Sequence, residues 1–170
     1  MGAMGDVLAR LFVRDLRALA RELEAYPSED AIWSVPPGIA NSAGTLTLHL
    51  VGNIQHFIGA QLGRSGYRRD RDAEFTTRET PRAELGRAIE GTIAMIEATL
   101  PSLNEEQLAE PFSIEVAGVR VRTDDFLTHL AVHLGYHLGQ VDYHRRLTSA
   151  PGTVGTMAIP ELATARRGGD

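Results

Sequence analysis

Half of the six histidines of this chain fall within nine residues. His129, His133 and His137 follow one another at four-residue spacing in "HLAVHLGYHLGQ", residues 129 to 140. On an α-helix, residues four apart are offset by only about 40°, so such spacing puts imidazoles on one face. Two imidazoles one turn apart can share a divalent ion. Spacing alone treats the pairs His129/His133 and His133/His137 alike, but their apolar neighbours separate them. With His137 at zero, Phe126, Leu130, Val141 and Leu134 fall at about −20°, +20°, +40° and +60°, which marks the inward side. His133 falls at about −40° and His129 at about −80°. The interior pair is therefore His133 and His137, with His129 as a flanking neighbour.

Two ligands on one helix make an incomplete site, and a third belongs on another element. The stretch 41–63, "NSAGTLTLHLVGNIQHFIGAQLG", offers His49 and His56, seven residues apart and on nearly the same face. Gly52, Gly59 and Gly63 run beside them, leaving room for close helix approach or for a ligand. Asn53 shares that side and is placed to orient a water or substrate. For His56, core or pocket lining is preferred over ligation. His144, beside Arg145 and Arg146 near a helix end, reads as a favourable partner of the C-terminal helix dipole.

Composition narrows the chemistry. The chain has no cysteine, which excludes disulfides, thiolate metal ligands and a cysteine nucleophile. Any thiol must arrive with a substrate, and any metal must take imidazole, carboxylate or water. All 17 residues of the Lys/Arg class are arginine, so Schiff-base catalysis by lysine is excluded. A formal charge of −5 argues against nucleic-acid binding. No apolar run approaches the roughly 20 residues needed to span a bilayer, and no signal-peptide pattern is present. A cytoplasmic protein without membrane attachment is expected. The motif "HLGYH" has no glutamate after its first histidine, so the base of an HExxH protease is missing. Asp142 lies about 140° round the helix from His137, too far to serve as a base. The catalytic acid and base are therefore unassigned.

The elements that must position these residues follow from apolar periodicity. Val7, Leu8, Leu11, Leu16, Leu19 and Leu23 define an amphipathic helix that ends before Pro27. Residues 27–40 read as a loop. The stretch 41–63 is apolar nearly all round, hence a largely buried helix, with Asn41 or Ser42 as N-cap. The charged connector 64–81 lacks helical periodicity and reads as a long loop. A third helix starts at Pro81 with the stripe Leu85, Ile89, Ile93, Ile96 and Leu100. "FSIEVAGVRVRT" alternates around Ala117-Gly118 and predicts a short hairpin. A fourth helix follows, with Thr123 or Asp124 as N-cap. Tyr136 and Tyr143 share one shoulder of it, suited to packing or dimer contacts. The expected fold is all-α: one domain over 1–170, a four-helix bundle over about 5–148 with long crossover connections and a short β-hairpin before the last helix, and an irregular tail over 149–170.

"LTLHLVGNIQHFIGAQLG", "RDAEF" and "HLAVHLGYHLGQVDYHRR" resemble the DinB/YfiT superfamily, in order, from the first helix to the end of the fourth. The combination of HxxxHxGQ with a histidine in the first half of the second long helix carries the resemblance. It implies a four-helix bundle, a bacterial cytoplasmic homodimer, and a divalent metal held by His49, His133 and His137. Zinc or nickel suits imidazole best, with iron or manganese as further options. Leu138 stands where the family often has arginine, a departure that touches no ligand. Gly139 would allow close packing, and Gln140 would make a fixed polar contact. Relatives include thiol S-transferases and mycothiol-dependent maleylpyruvate isomerases. The resemblance thus implies a metal-dependent thiol S-transferase or hydrolase, acting on a low-molecular-weight thiol and an electrophilic small molecule at an open metal position. The alternative is a non-catalytic metal- or small-ligand-binding stress-response protein.

Overall fold

The computed structural model describes residues 4–148 and the single positions 152, 154, 159 and 162. Apart from those four positions, the expected irregular tail lies outside the described residues. Among the described residues the chain is mostly helical, with seven α-helices and no strand. In chain order they are α1 (Met4–Glu24), α2 (Glu29–Trp33), α3 (Ala43–Ile54), α4 (Arg71–Thr76), α5 (Arg82–Thr99), α6 (Glu105–Ala109) and α7 (Thr123–Thr148). A π-helical segment, Gln55–Ala60, prolongs α3, and a 3-10 turn, Leu100–Ser102, follows α5. No helix among the described residues is long and apolar enough to cross a membrane.

The long helices form where apolar residues recur at helical spacing. Leu8, Phe12, Leu16, Leu19 and Leu23 of α1 are buried. Val7, one of the residues in the expected stripe, is exposed, because Phe12 and Val13 take the inward positions. Ser42 caps α3, its side chain accepting from the Thr45 N–H at 3.1 Å. The α5 stripe is buried along its whole length. Helix α1 packs on α5 and α7, and α3 packs on the same two helices. Their inward residues join in one hydrophobic cluster. Each fully buried Leu or Ile there contributes about 1.5–3 kcal/mol.

The connectors hold more structure than their sequences announce. Residues 27–40, expected as a loop, contain α2, capped by Ser28. Its last residue, Trp33, lies over Gly44, where a Cβ would meet the indole ring at 2.6 Å. The connector 64–81 contains α4, capped by Asp70, whose carboxylate accepts from the Ala73 N–H at 2.9 Å. Six residues are too few to display a period, and the inward residue of α4 is a charged one, Glu74. The expected hairpin is reduced to its turn. Val116 and Val119 exchange backbone hydrogen bonds of 2.9 and 3.1 Å across Ala117 and Gly118, both at positive φ. Beyond the turn only an isolated bridge forms, Pro111 to Arg122, and Pro111 has no N–H to extend a ladder.

At the far end of α7 two buried polar groups tie it to α1 and to the residues flanking α2. His144 does not serve the helix dipole: it is buried, with Nε2 2.9 Å from the Ser34 carbonyl and Nδ1 2.7 Å from the Tyr26 hydroxyl. Burial pushes its pKa down, favouring a neutral ring that donates to Ser34 and accepts from Tyr26. Arg145 Nε lies 2.5 Å from Glu22 Oε2, and both side chains are only 1% exposed. Removing one partner of such a pair strands a buried charge, at a cost of about 3–5 kcal/mol. Urea denaturation of Arg145→Met should show a loss of about that size. A loss below about 1 kcal/mol would mean that the pair is relieved by solvent.

Candidate metal centre

The packing of α3 against α7 brings His49 to His133 and His137. Each of the three offers a ring nitrogen, and these atoms all lie within 4.8 Å of one another. His49 Nε2 is 3.3 Å from His133 Nε2. Around a tetrahedral zinc with bonds of about 2.0–2.1 Å, neighbouring nitrogens stand about 3.3–3.4 Å apart. One edge of such a tetrahedron is therefore already in place. The His133 and His137 rings meet edge-on with centroids 4.6 Å apart, and His137 stands edge-on to His49 at 5.3 Å. His49 is buried, and the other two are half-buried.

Two of the rings are held from behind. His137 Nδ1 is 2.6 Å from Gln140 Oε1, one turn further along α7. His49 Nδ1 is 3.0 Å from Glu74 Oε2 of α4. Glu74 is gripped in turn by Arg69, with Nε 2.6 Å from Oε1 and Nη2 2.8 Å from Oε2. Neither Glu74 nor Arg69 is a candidate on helical periodicity. Asp70, a good N-cap residue immediately before "RDAEF", is the signal that could have revealed the short helix.

Burial pushes the pKa of His49 down, partly offset by the hydrogen bond and charge of Glu74. The pKa of His133 falls to about 4, first through burial and then through the nearby His137 and His49. Both rings are thus neutral at neutral pH, the state in which imidazole ligates a metal. Three imidazole nitrogen donors fit a divalent ion and leave part of its coordination shell to an outside ligand.

The remaining candidates lie around this group. His129 is exposed, stacked on Phe126 at 6.1 Å and on His133 at 6.4 Å, and is outside the three-histidine group. His56 sits on the π-helical segment against Phe57. Seven residues beyond His49, it is about 10 Å further along the axis and does not join the group. Asn53, one turn after His49, is buried, and its Oδ1 has no hydrogen-bond partner. Beside His129 a cavity of about 330 Å³ is lined by Val116, Val119, Val121 and Phe126.

These features define a helical protein with an imidazole-only candidate metal centre. A family model described as the DinB superfamily matches residues 11–141, well over half of the chain, and the chain belongs to that superfamily. A search of curated proteins finds no match.

The depressed His133 pKa makes the metal-free fold sensitive to acid. The unfolded chain takes up this proton near 6.5, the folded chain only near 4. Between those values the unfolded state binds more protons, so stability falls as pH is lowered. The denaturation midpoint of the metal-free protein should drop over that window, and His133→Gln should flatten the drop. An identical pH dependence in the two proteins would refute the shift.

Proposed function

We propose that the chain is a metal-dependent enzyme whose divalent ion, zinc or nickel, is held by His49, His133 and His137. The reaction that fits best is transfer of a low-molecular-weight thiol to an electrophilic small molecule, with hydrolysis as the neighbouring alternative. The observation that carries this reading is the convergence of three imidazoles without a carboxylate in the group. A structural zinc more often has four protein ligands, whereas three leave a place for a reactant. Because the chain has no cysteine, a thiol must be supplied as substrate. A divalent ion bound there supplies Lewis-acid activation of a water or thiol.

The chain's own residues orient and enclose. Gln140 holds the His137 ring. The orphan Asn53 Oδ1 offers an acceptor to a donor on the incoming ligand. The cavity beside His129 takes an apolar part of the electrophile. In this reading the four long helices form the four-helix bundle of the superfamily. The exposed Val132, Tyr136, Tyr143 and Leu147 on α7 supply a homodimer contact. A second reading, a non-catalytic metal- or ligand-binding protein, is favoured by one observation. Both oxygens of Glu74 are engaged, so this nearby carboxylate is not a free base.

Zinc-loaded protein should turn over a low-molecular-weight thiol with a chromogenic aryl electrophile, and the activity should vanish on chelation and in His137→Ala. Bound metal without turnover across a panel of thiols and electrophiles would favour the binding protein. Negligible metal in both wild type and His137→Ala would remove the ligand assignment.

A further inference from the structure

We infer that Glu74 and Arg69 form a positioning pair that fixes the tautomer and aim of His49, making the connector between α3 and α5 a working part of the metal centre. This inference rests on the metal reading above. Its geometry begins with the carboxylate. Glu74 is buried and, when ionised, has only acceptor oxygens. The His49 nitrogen 3.0 Å from Oε2 must therefore carry the hydrogen. In the neutral ring that leaves Nε2 as a bare lone pair, and Nε2 is the atom that stands 3.3 Å from His133 Nε2. The side chain on α4 thus determines which nitrogen of a residue on α3 faces the shared position.

Arg69 fixes the carboxylate itself. Its two bonds run to different oxygens, 2.6 Å to Oε1 and 2.8 Å to Oε2, which sets the carboxylate plane as well as its place. Arg69 Nη2 also lies 3.4 Å from His49 Nδ1, so both donors converge on Oε2. The guanidinium is seated over the Phe57 ring at 5.8 Å, one further turn along the same face as His49 and Asn53. Arg69 thereby gives the buried Glu74 carboxylate a charged partner and a fixed direction, where a lone carboxylate would be costly.

Gly52 is the third component. A Cβ there would collide with Glu74 Oε1, well inside any allowed contact. The bare backbone one turn beyond His49 is the slot that admits the carboxylate to the back of the ring. An ion pair serving only to tack down the connector would need neither this slot nor a third partner at Nδ1. A carboxylate behind a ligating histidine orients the ring and raises its basicity, and its loss costs roughly 10- to 100-fold in metal affinity.

Three measurements test the pair. Competition titration with zinc against a chromophoric chelator should show Glu74→Gln and Gly52→Ala weakened by about 10- to 100-fold. Gly91→Ala on α5, where a Cβ would meet nothing, should bind as wild type does. Long-range ¹⁵N spectra of the metal-free wild type should show His49 protonated at Nδ1, and Glu74→Gln should lose that single tautomer. A merely structural role would lower the melting temperature of the variants while leaving affinity and tautomer as they are, and that result would overturn the inference. So would a wild-type His49 protonated at Nε2, a result that requires no variant to fold. Failure of the wild type to bind zinc would instead defeat the metal reading, while the tautomer would still report whether the pair orients His49.

Discussion

The apolar packing of α3 against α7 holds His49 Nε2 3.3 Å from His133 Nε2, and the site depends on that approach. Two bare ring lone pairs repel at that distance, and a shared cation or one bridging proton turns the repulsion into attraction. The helices on either side are apolar enough to hold the rings together regardless. Leu46, Leu50 and Ile54 on α3, with Leu130, Leu134 and Leu138 on α7, are all buried in the common cluster. The hydrophobic core therefore carries the cost of gathering the imidazoles, as expected of a preformed site on rigid elements.

Several buried polar groups find a partner on a different element. Glu74 of α4 meets His49 of α3 and Arg69 of the connector. Glu22 of α1 meets Arg145 of α7, and His144 of α7 bridges Tyr26 and Ser34. These contacts cross-link the chain where hydrophobic packing has no direction of its own. Asn53 Oδ1, like Glu22 Oε1, has no hydrogen-bond partner, and it lies one turn from His49. Unsatisfied buried acceptors in native proteins call for an explanation, and under the proposed function an incoming ligand would supply it for Asn53.

The legible parts of the sequence are those governed by the helical period. The stripe from Leu85 to Leu100 emerges as a buried face, and the angular argument that separates His129 from His133 and His137 matches their placement. A helical wheel cannot choose between His49 and His56, which differ by two turns along the axis rather than by angle. There the family resemblance supplies the choice, and the structure groups His49 with the α7 pair and leaves His56 apart. Short elements are illegible for a different reason. Helix α4 buries a carboxylate, the reverse of the apolar signal by which helices are recognised. His144 misleads because its position near Arg145 and Arg146 matches a dipole partner, whereas Tyr26 and Ser34 are brought to it only by tertiary folding.

X-ray absorption spectroscopy of the zinc-loaded protein tests the three-imidazole centre most directly. A four-coordinate zinc with three imidazole nitrogens at about 2.0–2.1 Å and one further light-atom ligand is the expected result. A shell of oxygen ligands without the outer-shell scattering of imidazole, or a spectrum unchanged in His49→Ala, would contradict it.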